Sequence, residues 1–301
     1  MSRFKGFLFS GLLFLIMLIL LSCSGPRIAM RSLRNDIREE LSKQDGIFAV
    51  AFKDLSRGRE LRINDTITFH AASTMKTPVL IEVYKQAAEG KFFLSDSVII
   101  KNEFKSIVDG SPFSLDSTDD SETELYKHTG EKRMISTLVY QMIIVSSNLA
   151  TNLIIDLVGA KNVTGTMREL GAKDIQVLRG VEDNKAFEKG LNNTTTAHDL
   201  MILFEKMAKG QTVNPGASQA MINILLDQKF NEMIPAALPA NVKVAHKTGF
   251  ITGVHHDSGI VFLPDGRKYV LVLLSKNLKD EKAAVNAMAR VSRMVYEYVI
   301  K

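Results

Sequence analysis

Four short stretches carry residue types that could do chemistry together. In FHAASTMKTPVLIEVYK (residues 69–85), Ser73 and Lys76 stand three apart where a loop breaks into an apolar-periodic segment. Residues three apart on a helix are neighbours, so a hydroxyl and an ammonium would share one face. A serine hydroxyl is a weak nucleophile until a base takes its proton. Lysine becomes such a base when burial and nearby positive charge lower its pKa. The plainer account is that Ser73 caps a helix. The second stretch, VSSNLATN, sets Ser146, Ser147 and Asn148 at the junction of two apolar segments, where the serines could equally be caps. The third, AHKTGF, puts Lys247, Thr248, Gly249 and Phe250 at the end of a predicted strand. There Lys247 could simply guard an edge strand. The fourth, RGVEDNKAFEKGLNNTTT (residues 179–196), offers the carboxylate of Glu182, which on a loop could also be an ordinary solvated acid.

These stretches need elements to position them. Met30, Leu33, Ile37 and Leu41 recur at helical spacing between Arg27 and Lys43. GIFAVAFKDL (Gly46 to Leu55) reads as a strand, and the charged turn SRGRE leads to a second strand near Leu61 to Ile63, making a hairpin. From Phe93 to about Arg133 the chain is polar and poorly periodic, a long surface loop with short helices; its acidic run DSTDDSETE is expected to be solvated rather than metal-binding. ISTLVYQMIIV (residues 135–145) is apolar on most sides and suits the centre of a helical core. Further helices are expected over 149–158, 163–170, 195–209 and 217–226, and a last one over about 280–298. KVAHKTG, SGIVFLPDG and KYVLVLLSK read as three strands, with PDG as a turn. Strands at both ends with helices between imply an α+β fold: one antiparallel sheet flanked by N- and C-terminal helices, with an inserted all-α domain. The expected α/β domain comprises residues 23–86 and 226–301, and the all-α domain with its loop residues 87–225.

Composition and termini bound the function class. Lys and Arg number 38 against 33 Asp and Glu, and the two signs are interleaved, so the surface is solvated and no nucleic-acid partner is expected. The start MSRFKG, the apolar FLFSGLLFLIMLILL and the small residues SCSG read as a secretory signal over residues 1–22, with an uncleaved membrane anchor as the alternative. Leu20-Leu21-Ser22-Cys23 resembles a bacterial lipoprotein signal, which implies lipidation of Cys23. Cys23 is the only cysteine, so no disulfide forms within the chain and the folded part has no thiol nucleophile. The expectation is a periplasm-facing, membrane-tethered envelope lipoprotein, monomeric, needing no metal or organic cofactor. The run His255-His256-Asp257 contains suitable zinc ligands, but neighbours on a strand point to opposite faces. A hydrogen-bonding role at a cleft edge is expected instead.

Ser-x-x-Lys, a Ser-x-Asn triplet and Lys-Thr-Gly occur here in that order. So arranged, the chain resembles the serine β-lactamase and penicillin-binding protein superfamily, most closely class A β-lactamases. The resemblance spans nearly the whole mature chain. It implies a nucleophile at Ser73, a base at Lys76, a proton relay at Ser146 and substrate contacts from Asn148, Lys247, Thr248 and Gly249. The implied oxyanion hole is made by the backbone N–H groups of Ser73 and Phe250, and Glu182 falls where the acid that directs the hydrolytic water stands. The family pattern has asparagine four residues after that acid; here it is Ala186. Asn184 or Asn193 remain as water ligands. Arg179 stands one residue further from the acid than the family's arginine, Asn193 replaces its aspartate partner, and Ser147 replaces the aspartate of the triplet. The function implied is β-lactam ring opening through an acyl-enzyme on Ser73. A peptidase or esterase acting on cell-wall peptides is the nearest rival, and a non-catalytic envelope-binding lipoprotein the other.

Overall fold

The computed structural model describes residues 28–301; the expected signal and Cys23 lie outside them. An opening helix, α1 (28–42), leads into β1 (Ile47–Asp54) and β2 (Glu60–Ile63). Strand β3 (Phe69–His70), a 3₁₀ turn (Ala72–Met75) and helix α2 (Lys76–Ala88) follow. The polar stretch holds β4 (Ser97–Ile99), β5 (Phe104–Lys105), β6 (Pro112–Phe113), a second 3₁₀ turn (Glu124–His128) and β7 (Lys132–Met134). Next come α3 (Ile135–Ile144), α4 (Asn148–Val158), α5 (Ala160–Glu169), α6 (Asn184–Glu188), β8 (Thr194–Thr195), α7 (Ala197–Ala208) and α8 (Pro215–Leu226). Three long strands, β9 (Lys243–Ile251), β10 (Val254–Phe262) and β11 (Lys268–Lys276), precede the closing helix α9 (Glu281–Ile300).

The five-stranded sheet has the order β2-β1-β11-β10-β9, every pairing antiparallel. The chain's two ends meet where β1 pairs with β11, from Ile47 opposite Lys276 to Asp54 opposite Tyr269. Strand side chains alternate between faces, and both faces of this sheet are covered. Phe48, Val50 and Phe52 point into a core with Leu33, Ile37 and Leu41 of α1 and Ala284, Met288, Val291 and Val295 of α9. Ala49 and Ala51 point the other way, into a core with α2, α3, α4, α7 and α8, where Leu80, Leu138, Met142, Leu153 and Phe204 are buried. The expected α+β architecture is therefore the observed one. No helix among the described residues is long and apolar enough to cross a membrane.

The polar stretch differs from the expected loop with short helices. It is clipped into two small ladders, β4 with β7 and β5 with β6, besides its 3₁₀ turn. Strands of two or three residues are too short for an alternation to register in sequence. Helix α6, five residues long, went unread for the same reason.

Candidate active site

Ser73 sits in the tight turn ahead of α2 rather than within the helix. Phe69 of β3 pairs with Thr195 of β8, and the Ala71 N–H donates to Asn193 O at 2.8 Å. Ala72 takes a left-handed φ of 44°, and its N–H donates to His70 Nδ1 at 3.0 Å. The 3₁₀ turn then places Ser73 and Lys76, the first residue of α2, on one side, because residues three apart eclipse in that geometry.

Lys76 is wholly buried. Its ammonium donates to Ser146 O at 2.6 Å, Ser146 Oγ at 3.1 Å and Asn148 Oδ1 at 2.9 Å. Burial pulls its pKa from 10.5 to about 7, against the opposing pull of the Asp120 and Glu182 carboxylates. The contact with Ser73 expected from spacing is not a hydrogen bond here; Nζ turns to Ser146 and Asn148 instead. Lys247, also fully buried, donates to the same Ser146 Oγ at 3.1 Å and to Thr248 O at 2.8 Å. Burial and then the Lys76 charge hold its pKa well below the ordinary lysine value, with Asp257 opposing. Ser146 Oγ thus lies between two lysines. Its backbone, at φ 58°, is left-handed.

Helix α4 explains the position of Asn148. Ser147 is its cap, accepting from Ala150 N–H at 3.2 Å. A second cap comes from far off in sequence. The Asp120 carboxylate accepts from Asn148 N–H at 2.8 Å, Leu149 N–H at 3.0 Å and the Tyr126 hydroxyl at 2.9 Å. Asp120 is buried while its neighbours Asp116 and Asp119 are exposed. Asp120 is thus the one buried acid of the run, which corrects the expectation of solvation for that residue. A carboxylate at a helix N-terminus is stabilised by the orphan N–H groups and the helix dipole. From this seat Asn148 donates Nδ2–H to Glu182 Oε1 at 2.8 Å while accepting from Lys76.

Glu182 reaches the site from a loop that is pinned on several sides. Asn152, one turn along α4 from Asn148, accepts from Val181 N–H at 2.7 Å and donates to Val181 O at 3.0 Å. A Cβ on Gly180 would collide with the Asn152 side-chain oxygen, so that position has no room for a side chain. Asn193 accepts from Leu178 N–H at 2.8 Å and donates to Arg179 O at 2.9 Å. The Arg179 guanidinium meets Leu191 O at 3.0 Å, Gly180 O at 3.0 Å and Asn192 Oδ1 at 3.3 Å, not the Asn193 side chain. Glu182 itself has φ 61°. Burial, joined by the Asp120 and Asp119 charges, raises its pKa above the usual carboxylate value, against the Asn148 hydrogen bond. Ala186 is buried in α6, whereas Asn184 and Asn193 face the cleft. Of the five non-glycine residues with positive φ among the described residues, three (Ala72, Ser146 and Glu182) belong to this site. Such backbone persists where its surroundings over-determine it.

Strand β9 closes the other wall. A Cβ on Gly249 would fall 2.9 Å from both Ser73 N and Thr74 N, so glycine lets the strand approach the nucleophile turn. Phe250 is 62% exposed and stacks on His255, ring centroids 6.0 Å apart. His255 Nε2 meets Glu281 Oε2 at 2.9 Å while His256 Nε2 meets His70 O at 2.9 Å, so the two rings diverge to opposite faces. Burial lowers the His256 pKa to about 4. Behind the strand, His246 Nδ1 lies 2.8 Å from Asp257 Oδ1. Among the described residues no group of three or more acids, histidines or cysteines could hold a metal. The resulting cleft, about 350 Å³, is lined by Ser73, Asn148, Glu182, Phe187 and Phe250 among others. Asp120 and Asn152 are two anchors that sequence reading missed. Asn152 was signalled by its i,i+4 spacing from Asn148, whereas nothing local marks Asp120.

Comparison with known proteins bears on the family and the fold. The model of the "Beta-lactamase enzyme family" matches residues 32–299. A β-lactamase of Bacteroides uniformis is 24% identical over 300 residues, covering 94% of this chain and 98% of the relative. The crystal structure of a β-lactamase from Sphaerobacter thermophilus is 25% identical with a TM-score of 0.75, covering 92% of this chain and 98% of that one. A mutant of PBP-A, an acyl-enzyme complex with penicillin G, is 28% identical with a TM-score of 0.76, covering 90% and 97%.

Proposed function

The chain belongs to the β-lactamase enzyme family, as the match over residues 32–299 shows, and we propose that it opens β-lactam rings through an ester on Ser73 which Glu182 then hydrolyses. The observation that carries this reading is the unbroken chain of hydrogen bonds from Lys247 through Ser146, Lys76 and Asn148 to Glu182. Lys76, with a pKa of about 7, can be neutral at physiological pH and takes the Ser73 proton as Oγ attacks the ring carbonyl. The carbonyl oxygen gains charge between the Ser73 and Phe250 N–H groups, and fixed donors at developing charge supply much of the rate. The ring C–N bond breaks and Ser146 passes a proton to the departing nitrogen, drawing one from Lys76. Asn148 holds the acyl side chain, while Lys247 and Thr248 hold the substrate carboxylate. Glu182 takes a proton from water as its oxygen attacks the ester carbonyl, and as the bond from that carbonyl carbon to Ser73 Oγ breaks the same proton passes to Ser73, which restores both groups. Burial supports Glu182 as that base, since it raises the pKa and so strengthens the carboxylate as a proton acceptor. The penicillin acyl-enzyme of PBP-A supports the acylation half.

The replacement of the family's asparagine by Ala186 favours a second reading, a penicillin-binding peptidase or esterase acting on cell-wall peptides with slow ester hydrolysis. Steady-state hydrolysis of a penicillin and of a D-Ala-D-Ala peptide separates the two. Rapid penicillin turnover abolished in Ser73→Ala supports the first; peptide hydrolysis with negligible penicillin turnover supports the second. We further propose that the enzyme is monomeric and faces the periplasm from a lipid anchor at Cys23.

A further inference from the structure

We infer that Asp183 and the β5–β6 hairpin form a clamp that holds Glu182 in place for ester hydrolysis, which makes Asp183 a positioning residue for that step. The inference rests on the reading of Glu182 as the base. Glu182 occupies left-handed backbone, which persists where the surrounding structure holds it there. On the N-terminal side the restraint is the Asn152–Val181 pair of hydrogen bonds. On the C-terminal side it is Asp183, only 2% exposed. Its Oδ1 accepts from Ser106 Oγ at 2.9 Å and from Ala186 N–H at 3.1 Å, and its Oδ2 accepts from Ile107 N–H at 2.9 Å.

Capping of α6 would account for the Ala186 bond alone. The other two reach across 76 and 77 residues of sequence to the hairpin. That hairpin is itself braced. Ser106 N–H donates to Ser111 O at 2.9 Å, Gly110 turns the chain at φ 73°, and Phe104 packs on Phe113 with ring centroids 5.9 Å apart. Ser106 is buried, so its bond to Asp183 is shielded from water. A second tie runs from Lys185 Nζ to Asp109 Oδ2 at 3.0 Å and Ser111 Oγ at 2.6 Å; being exposed, it contributes less. Ser73, Lys76, Ser146 and Lys247 make none of these contacts, so acylation should not depend on the clamp. Misplacement of a catalytic group by about 1 Å can cost about 100-fold in rate.

The test resolves the two half-reactions with a penicillin by rapid mixing and quenching, in Asp183→Ala, Ser106→Ala, Asp183→Asn and Glu182→Gln. In Asp183→Ala acylation should stay within about 2-fold of the native rate while ester hydrolysis slows about 10-fold or more. Ser106→Ala, which leaves the α6 cap intact, should slow the same step alone, and Asp183→Asn should recover part of the loss. Equal losses in both half-reactions, or native ester hydrolysis in a folded Asp183→Ala, overturn the clamp. Should Asp183→Ala not fold, Ser106→Ala decides: unchanged ester hydrolysis overturns the inference. Glu182→Gln separates the premises. If it traps the ester while Asp183→Ala does not, only the clamp fails; if it turns over normally, the base assignment fails and the clamp with it.

Discussion

Replacing Lys76 by Met should change the pH dependence of stability by an amount the buried ammonium dictates. Lys76 ionises near 10.5 in the unfolded chain and near about 7 in the fold, with burial as the main cause. Between those values the unfolded state binds more protons, so the native protein gains stability as pH rises through this window. Below about 7 the full penalty applies; above the unfolded value it vanishes. The difference of about 3.5 in pKa corresponds to about 5 kcal/mol in full, of which about 3 kcal/mol should be recovered between pH of about 7 and about 9.5. Lys76→Met lacks that gain. Its Lys247 also loses a neighbouring charge that lowers its pKa, which flattens the variant's curve further. Urea unfolding of both proteins at those two pH values measures the effect, because the titrating groups other than Lys76 and Lys247 are shared and cancel. The native protein should gain on the variant by about 3 kcal/mol or more across the interval. Parallel stability curves would refute the reasoning: Lys76 would then stay charged in the fold through neutral pH and could not take the Ser73 proton there.

Asp120→Ala should cost about 3 kcal/mol in chemical unfolding, since it strands the Asn148 and Leu149 N–H groups of the α4 terminus; a loss below about 0.5 kcal/mol would show that water replaces the carboxylate. Gly249→Ala should lower kcat/KM about 10-fold or more, because its Cβ would press on Ser73 N and Thr74 N; native activity would mean β9 can withdraw freely. Ester hydrolysis should decline on acidification at a pH above that of an ordinary glutamate, since only the ionised Glu182 accepts a proton and burial raises its pKa. A pH profile of kcat, read where ester hydrolysis limits turnover, checks this against Glu182→Gln.

Much of the sheet was legible because its strands include short, nearly continuous buried runs, as in β1 and β11, and both ends of the chain carry them. Phe48, Val50 and Phe52 fill one core and Ala49 and Ala51 the other, which is why the whole run is apolar. The three motifs were legible for a different reason, the residue types at fixed short spacings. What they touch was less so. Lysine is ordinarily exposed, and neither the complete burial of Lys76 and Lys247 nor their shared grip on Ser146 Oγ has a local signature. Asp120 looked like one acid among several, yet tertiary contact with α4 sets it apart. Asn193 was expected to face Arg179 as a neutral partner. It does so through the Arg179 main chain, because its amide can both donate and accept there while the guanidinium finds carbonyl oxygens elsewhere.

The most direct test is a time course of intact mass for the protein mixed with a penicillin, run beside Ser73→Ala. The account predicts an adduct of one penicillin on the native protein that disappears as hydrolysed penicillin accumulates, and none on the variant. An adduct that persists would contradict Glu182-driven hydrolysis and make the peptidase reading the better one; no adduct and no hydrolysis would contradict the nucleophile itself.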